Sequence, residues 1–377
     1  MARIPLIFAT DGIFPHAVGG MQRHSRLLVE ALARTGELDL IVLHPHPGEV
    51  IFKDHPEVQE IVVDPLPQKK HYFLELRDYS KRVRDILRAH PAHLIYSQGL
   101  SVWTDMDEFA DRTIVNPHGL EPYQALGTMA KLKTLPYRRV FDQLFKRCRR
   151  TVSLGGHLTE IIRPRLGRPE QLAVLPNATN PLDLPAPQLH KHKGQPLRFM
   201  FVGRFSDNKG IVHLLEATQS LNQQGLTDQF VVDLCGKGPL FEAMQQRFPL
   251  PNVQFRGFVS DADLDQAYLD NHVFVLPTLY EGMPTVILEA MARAMPIIVT
   301  DVGATLELVG PENGRIIQKQ NSGDLAGKMH SFLKMPEEEY EQLSVHSLSK
   351  FLRSFTWEAV AAAHLKLFRE VQSERKN

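Results

Sequence analysis

Residues 272–302, HVFVLPTLYEGMPTVILEAMARAMPIIVTDV, decide how the rest of this 377-residue chain reads. A β-branched and aromatic run, His272–Pro277, stops at a proline, and Thr278–Met283 is a loop carrying Gly282. Thr285–Met295 has helical composition, and Pro296 opens a second apolar run, PIIVT. The pattern predicts strand, loop, helix, strand. Pro284 suits a first helical residue, where its missing N–H would be unpaired anyway. In a βαβ unit this loop lies at the carboxyl end of a parallel strand, beside a helix N-terminus. Open α/β sheets take their ligands there, and the backbone N–H groups favour an anion.

Two carboxylates belong to this segment, Glu281 on the loop and Glu289 in the helix. Beside a phosphate they would repel it unless they face hydroxyl groups. A sugar nucleotide satisfies both conditions, with N–H groups toward phosphate and carboxylates accepting from sugar or ribose hydroxyls. The same spacing recurs at Glu49 and Glu57, so the strand–loop–helix context carries the argument.

The neighbouring segments repeat the alternation. Leu197–Val202 is an apolar strand running into Gly203-Arg204, then SDNKG, then a helix over Ile211–Asn222. Arg204 and Lys209 flank a loop that leads into a helix, a suitable place to hold a diphosphate, although two such cations are also ordinary solvated surface. Gln229–Leu234 is the next strand, followed by Cys235-Gly236-Lys237-Gly238-Pro239. The glycines permit close backbone approach, but GKGPLF lacks the third glycine of the dinucleotide fingerprint. Val253–Phe255 and Asn313–Gln318 read as strands, Asp261–Leu269 and Asp324–Leu333 as helices. The tail FTWEAVAAAHLKLFREV is an amphipathic helix with Trp357, Val360, Ala361, Leu365 and Phe368 on one face.

Upstream, Pro181–Pro196 holds four prolines and no period, which marks a linker. The expected domains are therefore 1–180 and 197–355, with a final helix over 356–377. In the first half, Ile4–Ala9, Asp39–Leu43, Glu60–Val63, His93–Ser97, Thr113–Asn116, Thr151–Leu154 and Leu172–Pro176 read as strands, with helices at Met21–Arg34 and His71–Ala89 between them. Such alternation predicts a parallel, doubly wound sheet. Gly19-Gly20, before the first helix, either approach a ligand or make a plain turn. His118 follows the strand Thr113–Asn116 and so falls on the ligand side of the sheet. Tyr137–Val152 reads as an amphipathic helix, and residues 131–150 carry eight Lys or Arg against Asp142 alone. That basic stretch is either a solvated face or a surface that rests on anionic lipid or an acidic acceptor.

Composition sets outer bounds. Formal net charge is zero, so nothing draws the whole chain to nucleic acid. Residues 1–180 carry 24 Lys/Arg against 20 Asp/Glu, only a mild polarity. Cys148 and Cys235 are the only cysteines, without disulfide or metal-ligand spacing, which favours a reducing compartment. The opening MARIPLIFATDG is too short for a signal peptide, and no apolar run approaches the ~20 residues of a membrane span. A cytoplasmic protein is expected, at most peripheral at the inner face of the plasma membrane.

Taken together, FVGRFSDNKG, GKGP, RGFV, YEGMPTVILEAMA and PIIVTDVGATLELV, with GGMQRHS, NPHG, VLPNATN and FTWEAV, resemble the GT-B glycosyltransferases, specifically retaining glycosyltransferase family 4. The resemblance spans nearly the whole chain. It implies two Rossmann-like domains facing across a cleft, with the acceptor in the first, the nucleotide sugar in the second, and the last helix crossing back. By its motifs Arg204 and Lys209 neutralise the donor diphosphate, Glu281 contacts the donor sugar and Glu289 accepts from the ribose. Gly203, Gly236, Gly238, Phe258, Val259, Gly282, Met283, Pro284 and Thr285 complete the donor site. Gly19 and Gly20 admit the phosphates, and His118 hydrogen-bonds the transferring sugar. The chain departs from the family at Met283-Pro284, where many relatives carry Phe-Gly, and at NATN, which replaces an Asn-Gly turn followed by Asp.

The function this implies is hexosyl transfer from a UDP-, GDP- or ADP-sugar to a saccharide or lipid-linked acceptor, in glycan synthesis. No cofactor is expected. Without a plausibly placed Asp-x-Asp pair the transfer is expected to be metal-independent, and the resemblance implies that it retains anomeric configuration. A nucleotide-sugar 2-epimerase of the same fold and a non-catalytic sugar-nucleotide sensor are the competing readings.

Overall fold

A computed structural model describes residues 3–17, 19–64, 72–124, 127–180 and 196–376. The expected linker, Pro196 apart, falls outside them, as do Lys69, Lys70 and His71. The chain divides into two compact units, residues 1–178 with 357–377, and residues 179–356.

The first unit is built on seven parallel strands: β1 (Ile4–Ala9), β2 (Leu38–His44), β3 (Gln59–Val62), β4 (Leu94–Gln98), β5 (Thr113–Asn116), β6 (Arg150–Ser153) and β7 (Leu172–Val174). Their order is β3-β2-β1-β4-β5-β6-β7. Strand β1 shows why the sheet sits inside. Ile4, Leu6 and Phe8 enter one apolar cluster, while Ile7 and Ala9, pointing to the opposite face, enter another. Burial on both faces is what a parallel sheet requires, and it explains the unbroken apolar run in the sequence. Helix Tyr72–Ala89 covers the second face with Tyr79, Val83 and Leu87. Helices Gly20–Arg34 and Trp357–Lys376 share the first cluster, so the last helix of the chain completes the core of the first unit.

The second unit holds six parallel strands: β8 (Leu197–Val202), β9 (Phe230–Cys235), β10 (Val253–Gly257), β11 (Val273–Leu276), β12 (Ile297–Thr300) and β13 (Gly314–Ile317). Their order is β10-β9-β8-β11-β12-β13. Thr179 and Thr356 pair as a parallel bridge, so both ends of this unit's chain lie side by side.

Three readings need correction. The basic helix runs over Thr128–Arg147, not Tyr137–Val152, and tolerates Pro136 in its interior. Cys148 leaves it in an extended conformation so that Arg150 and Val152 can join β6. Pro284 is the residue before the helix Thr285–Ala292, in an extended conformation with ψ 118°, rather than its first helical residue. A further helix, Glu337–Ser354, packs on Thr285–Ala292 and has no counterpart in the sequence reading. Its buried face mixes Tyr340, Leu343 and Phe351 with Ser344 and Ser347, which blurs the apolar period.

Candidate active site

In the second sheet the strand order turns back between β8 and β11, and a ligand crevice belongs outside the carboxyl ends of such a pair. Lys209 follows β8 and Glu281 follows β11. Their side chains form an ion pair at this turning point, each largely but not wholly buried. Thr278 Oγ1 lies 3.2 Å from Glu281 Oε1, and its one hydroxyl proton has a nearer acceptor. The two loops are also joined through one carbonyl. Asn208 O accepts from Thr278 Oγ1 at 2.8 Å and from the Leu279 N–H at 2.7 Å.

Backbone approaches this close exclude side chains. Gly210 has φ 65°, and a Cβ there would lie 1.9 Å from the Pro277 carbonyl oxygen. Gly236, at φ 131°, would place one 2.0 Å from the carbonyl oxygen of Gly203. Gly238 and Gly303 similarly abut Phe205 and the Glu281–Gly282 carbonyls. The loops after β8, β9, β11 and β12 are thus packed main chain to main chain, the arrangement that keeps N–H groups within reach of a ligand.

The loop after β11 enters helix Thr285–Ala292, whose first N–H groups have no acceptor within the helix. Met283 and Pro284 are buried, Gly282 and Thr285 half-buried. One turn further, Glu289 Oε2 accepts from the Tyr268 hydroxyl at 2.9 Å. Arg293 stacks on the Tyr268 ring at 4.7 Å. Arg204 is exposed and makes no ion pair among the described residues, which leaves its guanidinium to solvent. Phe258 is 81% exposed beside half-buried Val259 on the loop after β10. Tyr268, Thr278 and Asn208 were not singled out from sequence, because a tyrosine in a short helix and a carbonyl in a loop carry no pattern.

The other expected residues lie in the first unit. Gly19 and Gly20 begin the helix Gly20–Arg34, where Gly20 has no atom near its missing Cβ. On that helix His24 meets His118 edge-on at 4.9 Å. His118 has φ 56°, a left-handed backbone that a non-glycine residue adopts only when something holds it. The holder is Asn116, whose Oδ1 accepts the His118 N–H at 3.0 Å. Asn116 Nδ2 donates to the Tyr96 hydroxyl at 3.1 Å, and Tyr96 bonds His364 Nε2 at 2.8 Å. His364 Nδ1 lies 2.8 Å from the Val360 carbonyl, which can only accept. That fixes every role: His364 carries its proton on Nδ1, and Tyr96 donates to Nε2. The His118 ring itself bonds Gln98. Burial pushes His118 down to about 3 and His364 down to about 4, so both are neutral at ordinary pH.

Among the described residues no group of three or more His, Cys, Asp or Glu side chains could hold a metal ion. No described helix is long and apolar enough to cross a membrane.

Comparison with known proteins agrees with this fold. Residues 18–181 match the family model described as Glycosyltransferase Family 4, and residues 186–346 match Glycosyl transferases group 1. A Bacillus subtilis protein named as a teichuronic acid biosynthesis glycosyltransferase, TuaC, is 36% identical over 37% of this chain and 34% of its own. The MMP alpha-(1->4)-mannosyltransferase of Mycolicibacterium hassiacum is 28% identical over 42% and 39%. The matches thus span about a third to two fifths of these curated relatives. Among solved structures, sucrose-phosphate synthase from Thermosynechococcus elongatus superposes with a TM-score of 0.76 at 21% identity, covering 99% of this chain and 100% of that one. WaaG, a glycosyltransferase of lipopolysaccharide biosynthesis, gives 0.72 at 17%, covering 96% and 99%. The two matched halves and the paired parallel sheets make this chain a GT-B glycosyltransferase. Within that class it is of the family 4 kind.

Proposed function

We propose that this chain transfers a hexosyl group from a nucleotide-sugar donor to a saccharide or lipid-linked acceptor in cell-surface glycan synthesis. The Lys209–Glu281 pair at the β8/β11 turning point carries the reading. Departure of a nucleoside diphosphate builds negative charge on its leaving phosphate. Lys209, Arg204 and the first N–H groups of helix Thr285–Ala292 supply positive charge for it, without calling on a metal. Glu281 accepts from hydroxyls of the sugar, and Glu289, with Tyr268 on one oxygen, accepts from the ribose. His118, neutral and fixed in orientation, hydrogen-bonds the transferring sugar. Named relatives in teichuronic acid and colanic acid synthesis support a role in surface polysaccharides. An Anabaena protein of the same fold, HepE, has been solved with UDP-glucose. We assign front-face attack with retention on the resemblance to retaining family 4.

Calorimetric titration with UDP-, GDP-, ADP- and dTDP-sugars, with and without EDTA, tests the donor site. One donor binding equally in both conditions is expected; no binding of any would remove the reading. NMR of the anomeric centre of the product tests retention, and an inverted product would overturn it.

We also assign peripheral contact with anionic lipid to the first half of helix Thr128–Arg147. The basic stretch is not uniform. Arg147 pairs with Asp107, and Arg149 and Arg150 pair with Glu374. Lys131, Lys133 and Arg139 are exposed, beside exposed Met129, Leu132 and Leu135. Cations interleaved with apolar side chains suit the headgroup region. Flotation with phosphatidylglycerol vesicles, absent with phosphatidylcholine and lost in Lys131→Glu/Lys133→Glu, is the expected result. Equal flotation with both lipids would overturn the assignment.

A further inference from the structure

Lys209 and Glu281 neutralise each other at the β8/β11 turning point, which makes the site selective about the anions it takes. Among the described residues Lys209 is the only cation paired with Glu281, and the Thr278 hydroxyl has its nearer acceptor in Asn208 O. The Glu281 side chain is only 14% exposed, so water replaces little of what the lysine supplies. Neither backbone is free to draw the pair apart. The Leu279 N–H donates to Asn208 O at 2.7 Å, and the Ala304 N–H donates to Gly282 O at 2.9 Å. Gly210 lies against the Pro277 carbonyl, and Gly303 against the carbonyls of Glu281 and Gly282. The loop carrying Glu281 is thus clamped between the loops after β8 and β12.

An ammonium donates in tetrahedral directions to acceptors about 2.8 Å away, so two acceptors on one lysine stand only about 4.5 Å apart. A diphosphate bound by Lys209 is therefore held beside a largely buried carboxylate of the same sign. Like charges that close, in partly buried surroundings, repel strongly. An intact nucleotide sugar relieves the repulsion, because its sugar hydroxyls donate to Glu281 as Lys209 turns to the phosphate. The nucleoside diphosphate left after transfer brings no such hydroxyls. Its terminal phosphate has also gained a negative charge, since the oxygen once bonded to the sugar is now free. This product draws on the lysine and leaves the carboxylate short of donors, the unfavourable condition for a buried charge.

We propose that Glu281 discriminates donor from product: through its pairing with Lys209 it favours a diphosphate that carries a sugar and repels the bare nucleoside diphosphate left after transfer. The proposal rests on the donor reading above and adds product release to what this carboxylate does.

The test is calorimetric titration of the full chain with UDP, GDP and ADP, and with UDP-glucose, GDP-mannose and ADP-glucose. Glu281→Gln keeps the shape of the side chain and removes its charge. It should bind the preferred nucleoside diphosphate at least about fivefold more tightly than the wild type does, and so narrow the preference for the matching nucleotide sugar. Glu281→Asp keeps the charge and should show no such gain. Glu281→Ala repeats the measurement if melting by circular dichroism shows that the glutamine variant does not fold. A carboxylate with a merely structural role gives the opposite sign, since its loss would weaken both ligands. Unchanged or weaker binding of the diphosphate in the folded neutral variants, or an equal gain in Glu281→Asp, would overturn the proposal. If the wild type or a neutral variant binds one of these nucleotides, that failure touches only the discrimination. If none of them binds any, the donor reading fails first and takes this one with it.

Discussion

At the scale of single residues, the Lys209–Glu281 pair is held by loops rather than by a core. Its loss should therefore cost function far more than stability. Lys209→Ala and Glu281→Gln are expected to lower turnover about 10²–10³-fold, the range seen when one transition-state contact is removed. The thermal midpoint should fall by only a few degrees, since a partly exposed pair contributes about 1 kcal/mol or less. Near-normal turnover in either folded variant would place the site elsewhere. Tyr96→Phe asks a different question. It removes the hydroxyl that donates to His364 and accepts from Asn116, the residue that fixes the His118 backbone. Turnover should fall while donor affinity, measured by calorimetry, stays within about twofold, because the donor contacts of the second unit are untouched. If the variant melts lower but its folded fraction turns over normally, Tyr96 is structural only.

At the scale of elements, helix Trp357–Lys376 is the last in sequence yet belongs to the first core. Trp357, Val360, Ala361, Leu365, Leu367, Phe368 and Val371 are all buried in it. At ~1.5–3 kcal/mol for each large side chain, the helix contributes about as much as a whole domain's net stability. A chain ending at residue 356 should therefore lose the cooperative unfolding transition of the first unit, read by calorimetry. Phe368→Ala should cost about 3–5 kcal/mol. Retention of that transition in the truncated chain would show that the core closes without the helix.

At the scale of the whole molecule, the two units should respond differently to acid. His24, His44, His46, His93, His118 and His364, whose pKa values are lowered mainly by burial, all lie in the first unit. A histidine depressed in the folded state stabilises it fully above its unfolded pKa of about 6.5, and that contribution is lost as pH falls toward the folded value. Between pH 6.5 and about 4 each such group draws a proton on unfolding, up to ~1.4 kcal/mol per pH unit. The first unit should melt progressively earlier than the second over this window. His364→Gln should flatten the dependence, and parallel acid sensitivity of both units would refute the assignment.

Local chemistry shows in local sequence, and so the strands were legible: Thr113–Asn116 and Leu197–Val202 are observed with the boundaries their composition predicts. The glycines after β9 and the acidic loop after β11 were visible for the same reason, since only certain residues suit a tight approach or a helix entrance. Helix Glu337–Ser354 was hidden because serines on its buried face erase the period, and the basic helix was misplaced because Cys148 and Val152 continue the apolar spacing after the backbone has turned extended. What the sequence by itself determined was the alternation of strand and helix and which residue types face a ligand. Only the tertiary structure decided that Lys209 meets Glu281, that Tyr268 holds Glu289, and that His364 reaches His118 through Tyr96 and Asn116. Those contacts join residues up to 268 positions apart. They depend on strand order and on which helix covers which face, and no local propensity encodes either.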